Sequence, residues 1–158
     1  CIDNYKAIIH IFPQVSAELS HTGHNDIKIS REIRDGFIGT KYEKYIYFYD
    51  EDWTPTQLKS LYSQMEFLIG TRLHSVIFTL STSTPAINIA YHGTKSLGIL
   101  SALTDYDKYV IDINDINFDK LLKTIKLIIK NKNLIIQKLK EDNIKIKSDL
   151  LIAMKDVY

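Results

Sequence analysis

The chain has 158 residues, 45% of them apolar and 25% charged, with a formal net charge of +1. That length and mixture suit one ordinary globular domain and exclude disordered, collagenous and low-complexity classes. The lone cysteine, Cys1, rules out an internal disulfide framework and fits a reducing compartment.

Ala7–Phe12 is expected to be the first strand, stopped by Pro13. Its Ile8-Ile9 and Ile11-Phe12 pairs point to burial on both faces, as in a parallel sheet. After the polar loop Ser20–His24, Asn25 or Asp26 is placed to cap a helix running to about Arg34. Gly36 and Gly39 loosen the chain before an aromatic strand, Tyr45–Tyr49. Thr54-Pro55-Thr56-Gln57 has the form of a capping box with proline at the first helical position, and opens a helix to about Gln64. Phe67–Ile69 is a very short strand closed by Gly70, followed by a helix from Leu73 to Leu80 that buries Val76, Ile77 and Leu80.

Ala86–Ala90, introduced by Pro85, is the next strand, and Lys95–Leu103 the next helix. Tyr109–Ile111 forms a last short strand. Phe118–Lys140 and Asn143–Val157 are expected as two helices, separated near Glu141-Asp142-Asn143. Strand and helix alternate five times, which predicts a three-layer α/β domain with a mostly parallel sheet over residues 1–117. Apolar runs of five residues, such as Tyr45–Tyr49, are far short of the roughly 20 needed to span a bilayer. No signal peptide is visible at the start of the chain.

The net charge is a cancellation. Residues 1–117 carry 10 basic and 14 acidic side chains, whereas 118–158 carry 10 lysines against five acids. The lysines interleave with Leu121, Leu122, Ile125, Ile128, Ile129 and Leu139 at helical spacing. This is the pattern of a basic amphipathic segment packed on the same domain. The segment has no arginine, and Phe118 and Tyr158 are its aromatics, so a nucleic-acid surface is not expected.

Open parallel sheets bind ligands beyond the carboxyl ends of their strands, near helix N-termini. There the chain reads Gly70-Thr71-Arg72-Leu73-His74-Ser75. Free backbone N–H groups at a helix start attract anions, and Arg72 adds a planar fork matched to carboxylate or phosphate. His74 is able to donate to a phosphate or exchange a proton. A small ligand with more than one negative group is expected. Ser75 is a candidate phosphate ligand or helix cap. Tyr91, Lys95 and Gln14 are candidate lining residues from neighbouring strand ends. His21 and His24, three apart, lack the further ligands a metal site needs, and His10 and His92 have no evident carboxylate partner. Cys1 has no neighbouring base, and neither a G-x-G-x-x-G nor a P-loop motif is present.

The block Gly70–Ser75, the apolar Val76-Ile77-Phe78 and the strand Pro85–Tyr91 together resemble the signature of the polysaccharide pyruvyl transferase family. There an Arg-X-His turn precedes an apolar helix, then a Pro-led strand ends in Tyr, with Lys four residues later. Tyr91 and Lys95 match those positions. Phe12-Pro13-Gln14, Asn25-Asp26 and Thr54-Pro55 resemble further family features. The resemblance implies a Rossmann-like domain similar to the C-terminal half of a B-type glycosyltransferase. It also implies phosphoenolpyruvate as donor substrate, with no other cofactor, and a pyruvyl ketal formed on a sugar of a cell-surface polysaccharide precursor. Arg72 and His74 would be catalytic, and Arg72, Leu73, His74, Ser75, Tyr91, Lys95 and Gln14 would line the site. No metal is implied. The expected setting is bacterial cytoplasm, with a saccharide acceptor, lipid-linked at the inner membrane face.

The family's first donor-domain strand and its acceptor domain have no counterpart before Ala7, and the chain begins with Cys1 rather than Met. The expectation is therefore a donor-binding part of a longer enzyme, inactive alone, or a sheet that is rearranged or completed by another chain. Two other readings stay open at this point: a donor domain for nucleotide sugars, and a non-catalytic interaction module docking through its basic tail.

Overall fold

The computed structural model describes residues 1–14, 26–91, 94–101, 103 and 105–155. The expected loop with His21, His24 and Asn25, the residue His92 and the tail end at Val157 lie outside these residues, as does the side chain of Lys95. The described strands form a two-stranded sheet and a three-stranded sheet, and every registered pair is parallel. The α/β class and parallel pairing agree with the Rossmann-like reading, with the sheet in two pieces. The chain divides correspondingly into two units, Cys1–Trp53 and Thr54–Tyr158.

In the first unit a one-turn helix α1 (Ile2–Tyr5) precedes β1 (Ile9–Ile11), which pairs with β2 (Ile46–Phe48) in the register Ile9↔Ile46. The crossover helix α2 (Asp26–Asp35) brings the Arg31 and Arg34 guanidinium groups 5.9 and 5.8 Å from the centre of the Phe48 ring. His10, Phe12, Tyr47 and Tyr49, of the opposite pleat parity, stack with ring centroids 4.8–6.3 Å apart. His10, for which no carboxylate partner is evident in the sequence, shares a 2.9 Å hydrogen bond between its Nδ1 and the Tyr49 hydroxyl. No described side chain of this unit is fully buried.

The core lies in the second unit, where the strands β3 (Leu68–Gly70), β4 (Ala86–Ala90) and β5 (Val110–Asp112) run in that order with β4 in the centre. The central strand is buried at four of its five positions, as a strand covered on both faces requires. Helix α3 (Pro55–Tyr62) opens with the expected capping box: the Gln57 N–H donates to Thr54 Oγ1 (3.3 Å), and the Thr54 N–H donates to Gln57 Oε1 (2.9 Å). Helix α4 (Leu73–Ser81) packs on β3 and β4, and α5 (Thr94–Leu100) follows β4. Val76, Leu80, Ile87, Leu100 and Ile111 meet Ile125, Ile128, Ile135 and Leu139 of α6 (Phe118–Lys155) in one cluster.

Tyr106 pins this core to the start of β4. The Ala86 N–H donates to the Tyr106 hydroxyl (2.7 Å), which donates to the Ala86 carbonyl (3.0 Å). Burial pushes the Tyr106 hydroxyl's pKa up, so it stays protonated and keeps donating. Tyr106→Phe leaves both backbone groups of Ala86 short of a partner, and is expected to lower stability by about 2 kcal/mol in a urea titration. A midpoint equal to that of wild type would show that water replaces the hydroxyl.

The two expected tail helices are one helix of 38 residues. Glu141-Asp142-Asn143 contains no Gly or Pro, so the polar cluster interrupts the apolar pattern without stopping the backbone ladder. Asn143 is instead an anchor: its Nδ2 donates to the Leu80 carbonyl (2.9 Å) and to Ser83 Oγ (3.2 Å), just beyond α4. Ile129, placed by its spacing on the packed face, is 39% exposed. Among the described residues no helix is long and apolar enough to cross a membrane.

Candidate functional site

Strand β3 ends at Gly70, and two residues later α4 begins. A Cβ at Gly70 would lie 2.9 Å from Val76 Cγ2 and 3.2 Å from Ser75 Oγ, so its absence lets the first turn of α4 settle against the strand. Gly70 is needed here for close approach, where the sequence suggested a sharp turn. Arg72 occupies the N-cap position with extended backbone (φ −86°, ψ 119°), and its side chain makes no capping hydrogen bond. The contrast with α3 is direct, since that helix satisfies its first N–H groups with Thr54 and Gln57.

Ser75, a candidate cap or phosphate ligand, is 4% exposed and its hydroxyl donates to the Arg72 carbonyl (2.7 Å). It therefore braces the turn from below. Arg72 and Leu73 are half-buried and His74 is exposed on the first helical turn. The turn thus presents a guanidinium, an imidazole and the positive end of a helix together, a combination suited to an anion.

The remaining candidates are distributed over the sheet. Parallel pairing puts the carboxyl ends of β3 and β4 on one edge, with Gly70 in register with Asn88. Tyr91 follows directly on β4 at that edge and is 44% exposed. The backbone of Lys95 lies in the first turn of α5, which starts at the same edge. Gln14 belongs to the first unit, just beyond β1, where its N–H donates to Asp26 Oδ2 (3.4 Å). Among the described residues no three His, Cys, Asp or Glu side chains come together as a metal site.

One polar residue near the turn was not singled out in the sequence. Asn88 lies on the central strand, fully buried, and neither its Nδ2 nor its Oδ1 has a hydrogen-bond partner among the described residues. Its signal is an amide standing alone in the otherwise apolar Ala86–Ala90.

No curated protein and no solved structure matches the chain. Residues 2–93 match the family described as Polysaccharide pyruvyl transferase. The matched span runs from α1 through β4 and contains the whole Arg72–Ser75 turn. The chain belongs to the polysaccharide pyruvyl transferase family.

Proposed function

We propose that the Arg72–Ser75 turn holds phosphoenolpyruvate, and that the chain is the donor-binding part of an enzyme that builds a pyruvyl ketal on a saccharide. The observation that carries this reading is an arginine at the N-cap of α4, directly beyond β3, whose side chain does not cap the helix. Phosphoenolpyruvate carries a carboxylate and a phosphate, so it uses both the guanidinium fork and the helix N–H groups.

In this reading the methylene carbon of the donor takes a proton, which makes C2 electrophilic. One sugar hydroxyl adds to C2 and loses its proton. A second hydroxyl of the same sugar then attacks C2, the C2–O(phosphate) bond breaks, the hydroxyl proton leaves with the phosphate, and the ketal closes. Arg72 stabilises the charge that gathers on the departing phosphate, and His74, exposed beside it, supplies the proton or holds the phosphate. Tyr91, at the same sheet edge, lines the approach, and Lys95, whose backbone is in the first turn of α5, is the further candidate cation. The acceptor belongs to a cytoplasmic, lipid-linked precursor of a cell-surface polymer.

Calorimetric titration separates this from a nucleotide-sugar site. Phosphoenolpyruvate is expected to bind with a dissociation constant between about 1 μM and 1 mM, the usual range for substrates, and a uridine diphosphate sugar not at all. Binding of the nucleotide sugar alone would overturn the proposal.

A further inference from the structure

A buried carboxamide ordinarily has partners for both its donor and its acceptor, because each group left unpaired costs folding free energy. Asn88 has neither, at 0% exposure on the central strand of the core. Its place in the sheet suggests what the amide is kept for. Asn88 is in register with Gly70, so the two residues face the same side of the pleat. On that side a Cβ at Gly70 would meet Ser75 Oγ and Val76 Cγ2, both on the first turns of α4. The Asn88 side chain therefore leaves the sheet on the face where the first turns of α4, with Arg72 and His74 at their start, pack.

The polar groups beneath that turn are engaged with one another. Ser75 Oγ donates to the Arg72 carbonyl (2.7 Å), and Thr79 Oγ1 donates to the Ser75 carbonyl (2.8 Å). When the Ser75–Arg72 bond opens, the Ser75 hydroxyl is left as a donor, and the Arg72 carbonyl, which also accepts the Val76 N–H (3.3 Å), has one free lone pair. Those are the two partners that Asn88 Oδ1 and Nδ2 lack.

We infer that Asn88 is a positioning residue for the anion-binding turn, its carboxamide engaging Ser75 and the Arg72 carbonyl when an anion draws the turn into its bound arrangement. The unpaired amide raises the free energy of the ligand-free state, and ligand binding recovers it by seating Arg72. The identity of the ligand, and only that, rests on the phosphoenolpyruvate reading above.

The test compares the full chain with Asn88→Leu, of the same branched shape though bulkier, and with Asn88→Ala, which cannot clash with the Gly70 side of the turn. Melting temperature without ligand and calorimetric affinity for phosphoenolpyruvate are measured on all three. Asn88→Leu is expected to melt higher than wild type, and both variants to bind about tenfold more weakly, the loss of roughly one hydrogen bond. A residue that merely fills the core moves stability and affinity differently. A lower melting temperature for Asn88→Leu, with binding by Asn88→Ala unchanged, overturns the inference, as does undiminished affinity in both variants. If the wild type fails to bind phosphoenolpyruvate, that reading falls, and inorganic phosphate becomes the probe for the same comparison. Weaker phosphate binding by both variants supports the role of Asn88. Equal binding, or none by any of the three proteins, overturns it.

Discussion

Replacing Arg72 by alanine in the intact enzyme is expected to lower the rate of pyruvyl transfer by about a thousandfold, the cost of removing one group that meets developing charge in a transition state. The start of α4 should hardly change. Arg72 stands at the N-cap of α4 without capping it by its side chain, and alanine is an equally poor cap, so the helix start loses little. Arg72→Lys restores the charge but not the planar two-point fork, and should recover only a small part of the rate. His74→Gln tests the proton separately: a glutamine donates a hydrogen bond but cannot serve as an acid at neutral pH. The assay is phosphate release from phosphoenolpyruvate with a saccharide acceptor, alongside thermal melting. Transfer at the wild-type rate by Arg72→Ala would remove the turn from the mechanism.

This turn was legible in the sequence because everything that makes it is local. A short apolar strand, Gly70, an arginine and an amphipathic helix follow one another within a dozen residues. The Thr54–Gln57 capping box was legible for the same reason, since its partners are three residues apart. The tail helix misled because Glu141-Asp142-Asn143 looks like a break when charge and polarity are read alone. Its continuity is confirmed by Asn143 reaching the Leu80 carbonyl and Ser83, residues about 60 positions earlier in the chain. Asn88 shows the same limit from the other side. Its type is visible in Ala86–Ala90, but its lack of partners depends on how β3 and α4 pack around it. The division of the strands between two sheets is likewise set by pairings between distant segments, which alternation of strand and helix does not specify.

The continuous tail helix makes a second large effect measurable within one element. Ile128 is fully buried against the cluster of Val76, Leu80 and Ile111, whereas Ile144, little more than four turns further along, is 71% exposed. Ile128→Ala is expected to cost about 2–5 kcal/mol, through lost transfer free energy and the cavity it leaves. Ile144→Ala should fall within about 0.5 kcal/mol of wild type, since alanine favours the helix and no described core contact is lost. Urea titration of both variants in the full chain gives the two values directly. Asn143 separates the regimes: before it α6 belongs to the core of its unit, and after it the residues from Ile144 to Lys155 are exposed. A cost at Ile144 as large as that at Ile128 would mean that the last turns of α6 are covered in solution by a surface with its own apolar face, because burial alone makes an isoleucine methyl that expensive to remove.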